Sequence, residues 1–179
     1  MNKRAFLKTA AGVLLGAALP ACAKEGGNVA GKILFINGSA NKNGNTAKLA
    51  GVLLDGKNFE SLYLTDLRVG FYGQNLEGDD FARVLSAMQN ADTLVFGSPV
   101  YWHNICASLR CLMERFYGVI ESNAFRGKRL FFIYQGAAPT RAMIEAGEST
   151  MRRFASLYGF DFQGMATDRV EAAKLAQKV

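Results

Sequence analysis

The feature that most constrains this chain is the alternation of five short apolar runs with segments of helical period. The runs are KILFIN (32–37), FESLYL (59–64), DTLVFGSP (92–99), KRLFFIYQ (128–135) and FDFQGMAT (160–167). Apolar runs of this length, bounded by turn residues, read as strands buried on both faces; FESLYL alternates instead, and FDFQGMAT is the weakest. The segments between them read as helices: Thr46–Leu54, Asp79–Gln89, a stripe from Ile105 through Leu109, Leu112, Met113 and Phe116 to Ile120, Pro139–Leu157, and Val170–Lys178. Asp79–Gln89 sets Phe81, Val84, Leu85 and Met88 on one face, with acids in its first turn. Strands alternating with helices predict an α/β fold with an open parallel sheet and right-handed crossovers.

In such sheets ligands sit beyond the carboxyl ends of the strands. That rule selects three loops, 37–46, 97–104 and 135–139. The first lies in INGSANKNGNTAKLA (36–50). It is not a Walker loop, because five residues separate Gly38 from Gly44 and Asn45 stands where the lysine belongs. The dinucleotide pattern G-x-G-x-x-G is also missing. What remains is a nearly neutral cradle of Ser39 and Thr46 hydroxyls, the Asn41, Asn43 and Asn45 side chains, and backbone N–H groups at a helix start. Such a set suits a phosphate that is bound but never transferred. A capped strand-to-helix turn, with Asn45 or Thr46 as the N-cap, is the alternative.

The second loop is GSPVYWHN (97–104), stiffened by Pro99. Tyr101 and Trp102, the single tryptophan, belong there to a crevice that suits a flat aromatic ligand. His103, the single histidine, is either a proton donor at the crevice or a residue that is solvated or braces the loop. No Ser/His/Asp set or carboxylate pair is visible.

GSANKNGNTAKL (38–49) followed by ADTLVFGSPVYWHNICASLRCLMERF (91–116) resembles the flavodoxin-like NAD(P)H-dependent FMN reductase family, including its iron–sulfur flavoprotein branch, over about residues 32 to 160. The resemblance implies five parallel strands in the order 2-1-3-4-5 with helices on both faces. It implies FMN as cofactor, with the phosphate held in 39–46. It also implies that Pro99, Val100, Tyr101 and Trp102 line the isoalloxazine ring, and that Gln135 and Gly136 offer backbone groups to its pyrimidine edge. Such reductases are commonly homodimers. Ala40-Asn41 stands where the family has Pro-Arg, which implies weaker FMN affinity or NADPH use. RVGFYGQ (68–74) has no cysteine, so the branch's cluster is not expected. Arg110, in place of a lysine, and Glu114-Arg115, in place of Asp-Arg, read as structural.

Residues 1–23 read as an export signal: a basic start, an apolar stretch over 10–19, then LPACA (19–23). The apolar stretch is too short to span a bilayer. NKRAFLK (2–8) resembles a twin-arginine motif with Lys3 in the first arginine's place. LPAC (19–22) resembles a lipobox that would acylate Cys22, although Pro20 departs from it; ACA (21–23) is an alternative cleavage site. Residues 24–31 read as a linker and 32–179 as the single domain. The expected location is periplasmic or on the outer side of the cytoplasmic membrane, or cytoplasmic if the signal goes unused.

Three of the net +6 charges are Lys3, Arg4 and Lys8, and no dense basic run follows, so no nucleic-acid partner is expected. Cys106 and Cys111 read as small core residues pointing apart, and no metal set is visible. The leading expectation is an FMN-binding oxidoreductase that passes electrons from NAD(P)H or another donor to a quinone, a flavin or another small acceptor. A flavodoxin-like electron carrier without turnover is the alternative, although such carriers are usually acidic and this chain is basic. An FMN-free binding protein is the third.

Overall fold

A computed structural model describes residues 31–179. The segments expected to be an export signal with Cys22 and a linker, up to residue 30, lie outside the described residues. In chain order the elements are β1 (Ile33–Asn37), α1 (Asn45–Leu53), β2 (Glu60–Tyr63), a 3-10 turn (Leu64–Asp66), α2 (Phe81–Asn90), β3 (Thr93–Tyr101), β4 (Asn104–Ile105), α3 (Ala107–Glu114), β5 (Arg129–Gln135), α4 (Arg141–Tyr158), β6 (Asp161–Ala166) and α5 (Arg169–Ala176).

The sheet runs β2-β1-β3-β5-β6, and these five strands are parallel. This is the expected order 2-1-3-4-5, since β4 is an extra short strand that pairs antiparallel with β3 alone. The period of two along each strand divides the apolar residues between two layers. Leu34, Ile36, Leu94, Phe96, Leu130, Phe132 and Tyr134 pack with α2, α3 and α4. Ile33, Phe35, Val95, Phe131 and Ile133 pack with Leu49, Ala50 and Leu53 of α1 and Ala172 of α5.

Three local expectations change. β3 does not stop at Gly97 and Pro99 but continues through both to Tyr101. β1 pairs with β3 only as far as Gly97, so beyond that point the strand has an edge, where a residue without an N–H is tolerated. Ile105 belongs to β4, not to the helix that follows, and Phe116 and Ile120 lie in turns beyond α3. The acids Asp79 and Asp80 stand just before α2 instead of inside its first turn.

Asp79 fastens that helix start. Its Oδ1 accepts from the Phe81 N–H at 2.8 Å, its Oδ2 is in an ion pair with Arg115, and the Arg115 guanidinium lies 4.6 Å from the centre of the Phe81 ring. Burial pushes the Asp79 carboxyl up. The hydrogen bonds from Arg115 and Phe81 and the Arg115 charge outweigh it and hold the group below the usual carboxylate value.

α4 opens on Thr140, whose hydroxyl accepts from the Met143 N–H, and closes on Gly159 in the left-handed region (φ 82°). Gly147, in the middle of α4, faces the Tyr134 ring so closely that an added Cβ would overlap it. Among the described residues the buried Tyr134 hydroxyl has no hydrogen-bond partner, and burial raises its pKa, so the phenol stays neutral.

Candidate functional site

The loop after β1 is held by hydrogen bonds from several elements. The Gly38 N–H donates to the Gly97 carbonyl at 2.8 Å. The Gly38 carbonyl accepts from Ser108 Oγ at 2.7 Å and from Cys106 Sγ at 3.4 Å. A Cβ at Gly38 would stand 2.6 Å from Cys106 Sγ and 3.2 Å from the Gly97 oxygen, so no larger residue fits. Asn37, fully buried, turns the chain: its Oδ1 accepts from the Ser39 N–H at 2.8 Å. Ser39 Oγ then accepts from the Asn41 N–H, Asn41 Oδ1 from the Asn43 N–H, and the Asn41 carbonyl from the Gly44 N–H.

This chain of turns reassigns the cradle's donors. The N–H groups of Ser39, Asn41, Asn43 and Gly44 are engaged within the loop. The first turn of α1 is different. Its N-cap is Gly44, not Asn45 or Thr46 as the capped-turn alternative expects, and no side chain caps it. Its opening N–H groups, at Asn45, Thr46 and Ala47, have no intrahelical acceptor, and the turn contains no acid. Backbone donors and the positive end of the helix dipole therefore converge on one point. Asn41, Asn43 and Asn45 are exposed around it, whereas Ser39 and Thr46 are buried. The loop's own cation, Lys42, is ion-paired with Asp66 and lies over the Tyr63 ring. This donor set fits a phosphate monoester.

The other two loops meet the first. Gln135, at the end of β5, donates from Nε2 to Thr46 Oγ1 at 3.3 Å. Gly97 leaves room for the Thr46 methyl, since a Cβ there would stand 2.7 Å from Thr46 Cγ2. Pro99 is opposite Gln135 in register and is buried inside β3. Gly136 lies against Val100, where an added Cβ would be 3.0 Å from the valine Cβ. Lys48 and Arg169 border a 300 Å³ depression that also includes Asn45 and Gln135.

GSPVYWHN is a hairpin, not an open loop. Val100 pairs with Ile105 and Tyr101 with Asn104, and Trp102 and His103 form the two-residue turn. Both turn residues have positive φ, 47° and 64°. Tight hairpins need that conformation, but Asn-Gly or Gly-Gly usually supplies it. A bulky pair held there is strained, and it projects Trp102 (98% exposed) and Tyr101 (54% exposed) outward. Ser98 braces the base, accepting from the Cys106 N–H at 2.9 Å and donating to the Pro99 carbonyl. Arg110 Nη2 donates to Asn104 Oδ1 at 3.2 Å.

The expected residues thus gather at the carboxyl ends of β1, β3 and β5. Sequence reasoning missed the supports: Asn37, Ser98, Cys106 and Ser108. Cys106 reads from sequence only as a core residue. Its contact with Gly38 crosses 68 positions, for which periodicity holds no signal. Cys111 is half-buried, not fully in the core. Burial, with a smaller effect from Glu114, pushes its thiol up.

A model for NADPH-dependent FMN reductases matches residues 31–164. YwqN of Bacillus subtilis (strain 168), provisionally named an NAD(P)H-dependent FMN-containing oxidoreductase, is 28% identical over 102 residues, which are 52% of this chain and 56% of YwqN. An iron-sulfur flavoprotein of Archaeoglobus fulgidus is 33% identical over 97 residues, 47% of this chain and 48% of that protein. The chain spans about half the length of the curated relatives it matches. Among solved structures, the Trp repressor binding protein from Bacillus subtilis shares the fold, with a TM-score of 0.66 at 20% identity over 80% of this chain and 99% of that one.

Proposed function

The chain belongs to the NADPH-dependent FMN reductase family, and on that premise we propose that it is an FMN-binding oxidoreductase that passes electrons to a quinone, a flavin or another small acceptor. The observation that carries this reading is the uncapped, acid-free start of α1, at the same carboxyl end of the sheet from which β3 extends the exposed Tyr101 and Trp102. The N–H groups of Asn45, Thr46 and Ala47 would hold the FMN phosphate, with Asn41, Asn43 and Asn45 around it. Tyr101 and Trp102 would border the ring, with Pro99 and Val100 forming the floor beneath them. Gln135 and Gly136 would offer backbone groups to the ring's polar edge. Bound FMN supplies the hydride and electron chemistry. The protein's part is to orient the ring and keep one face open to a donor or acceptor. His103, exposed beside Trp102, would be the proton donor to a reduced acceptor.

Asn41 brings no charge to the cradle and Lys42 is paired with Asp66, which would weaken FMN affinity or NADPH use. The absorption spectrum of the purified full chain tests the cofactor. Flavin bands, and turnover of NAD(P)H with a quinone, are the expected result. A colourless protein whose tryptophan emission is unmoved by added FMN would overturn it. Flavin bands without turnover from either nucleotide would point to an electron carrier.

The same proposal includes export of the folded, FMN-loaded chain through the segment NKRAFLK (2–8), anchoring through Cys22, and assembly as a homodimer. Noncovalent FMN requires a folded protein, which suits a route that carries folded cargo. Cell fractionation and mass spectrometry of the N-terminus test it. An acylated Cys22 in the membrane fraction is expected; a cytosolic chain that retains Met1 would refute it.

A further inference from the structure

The depression of about 300 Å³ beside the cradle lies between the starts of α1 and α5. It shares Asn45 and Gln135 with the cradle, so the two are continuous. Lys48 follows Asn45 by three residues on α1, which puts it on the same helix face, about 4.5 Å further along the axis. Arg169, the first residue of α5, borders the depression from the other helix. Both cations are exposed, and among the described residues neither is in an ion pair. A single phosphate monoester at the α1 start needs neither of them. A ligand that continues past that phosphate with a second one would meet Lys48 one helical turn on, and then Arg169.

Asp168 narrows the class of ligand. It also borders the depression, and its Oδ1 accepts from the Glu171 N–H at 2.9 Å, which fixes the carboxylate as the cap of α5. A bare anion would be repelled by that carboxylate. A sugar hydroxyl or an amino group would instead donate to it in a charge-assisted hydrogen bond. Two cations beside one carboxylate therefore suit a phosphate and hydroxyl donors carried by one molecule, which describes a nucleotide. The two faces of the sheet decide which nucleotide. α1 and α5 pack on one face, while α3 and the hairpin residue Ile105 pack on the other. A flavin with its ring at Tyr101 and Trp102 and its phosphate at the α1 start has its phosphate end beside the depression. A pyridine nucleotide must lay its nicotinamide on the ring, at the hairpin end.

We infer that this depression holds the adenylate half of flavin adenine dinucleotide, so that the chain takes FAD as well as FMN in one cradle. Lys48 and Arg169 hold the second phosphate, and Asp168 accepts from the adenosine hydroxyls. The inference rests on the FMN reading above, which places the first phosphate.

Flavin exchange on the full, FMN-loaded chain tests it. The protein is equilibrated with an excess of FMN and FAD at equal concentrations, and the protein-bound flavin is separated and identified by chromatography. The ratio of bound FAD to bound FMN is the ratio of their affinities, so any effect on the shared phosphate cancels. FAD should make up roughly half or more of the flavin bound to the wild type, because the depression offsets the cost of ordering the longer ligand. Lys48→Gln and Arg169→Gln should each lower the ratio roughly fivefold, and the double variant by more than tenfold. Both residues are exposed, so far-UV circular dichroism should remain unchanged. A wild type that binds mostly FMN, or a ratio that the double variant leaves unmoved, would overturn the inference and leave the FMN reading intact. An unmoved ratio with weakened NADH binding would assign the depression to the electron donor instead. A chain that retains neither flavin would overturn the FMN reading itself.

Discussion

Gln135 Nε2 donates to Thr46 Oγ1 at 3.3 Å, joining the end of β5 to the first turn of α1 across 89 positions of sequence. The Thr46 methyl fills the space over Gly97, so one side chain touches all three converging segments. Thr46→Val keeps the shape and deletes the hydroxyl. Loss of one hydrogen bond of about 1 kcal/mol should raise the FMN dissociation constant roughly fivefold. Flavin fluorescence quenching on titration of the variant measures this. An unchanged constant would show that the contact does not shape the cradle.

Gly147 and Tyr134 permit a test of packing stability. An alanine in the middle of a helix is favoured over glycine by about 1 kcal/mol. Here its methyl would overlap the Tyr134 ring, and overpacking of that kind costs about 3 kcal/mol. Gly147→Ala should therefore lose about 2 kcal/mol in urea unfolding. Combining it with Tyr134→Leu should give less than the sum of the single losses, because the second change removes the clash. Strict additivity would contradict the packing.

The hairpin turn predicts an opposite sign. His103 has φ 64°, a conformation that costs a β-carbon about 1–2 kcal/mol and glycine nothing. Allowing for the greater backbone freedom of unfolded glycine, His103→Gly should stabilise the fold by about 0.5 kcal/mol. If turnover falls while stability rises, His103 contributes to the reaction. If both hold or rise, it only fills the turn.

Asp79 sets an acid limit on stability. Its folded pKa lies below the unfolded value of 3.8. Its contribution is thus complete above that value and fades as the pH falls through it toward the lower folded value. Asp79→Asn should cost about 2 kcal/mol at neutral pH, through loss of the charged hydrogen bond to Arg115. The gap between variant and wild type should close on acidification below about pH 4. A gap independent of pH between 3 and 7, read from urea midpoints, would assign the loss to packing alone.

The pattern of residues was enough for five parallel strands and for the two-sided burial of the central three, because short apolar runs such as Leu34–Ile36 and Phe131–Ile133, bounded by turn residues and alternating with helical segments, leave water as buried strands. It also determined which loops converge, since parallel strands bring all their carboxyl ends to one edge. The tertiary structure alone decided which groups in those loops are available. Whether the Ser39 N–H is a free donor depends on Asn37, and the position of Gly38 depends on Cys106 and Ser108, about 70 residues away. The hairpin at Trp102-His103 was hidden for a related reason. Local preference opposes positive φ at both residues, and only the β3–β4 pairing and the braces from Ser98 and Arg110 hold them there. Local patterning encodes which face of a strand or helix is apolar. It does not encode hydrogen bonds between distant segments, and those bonds shape this site.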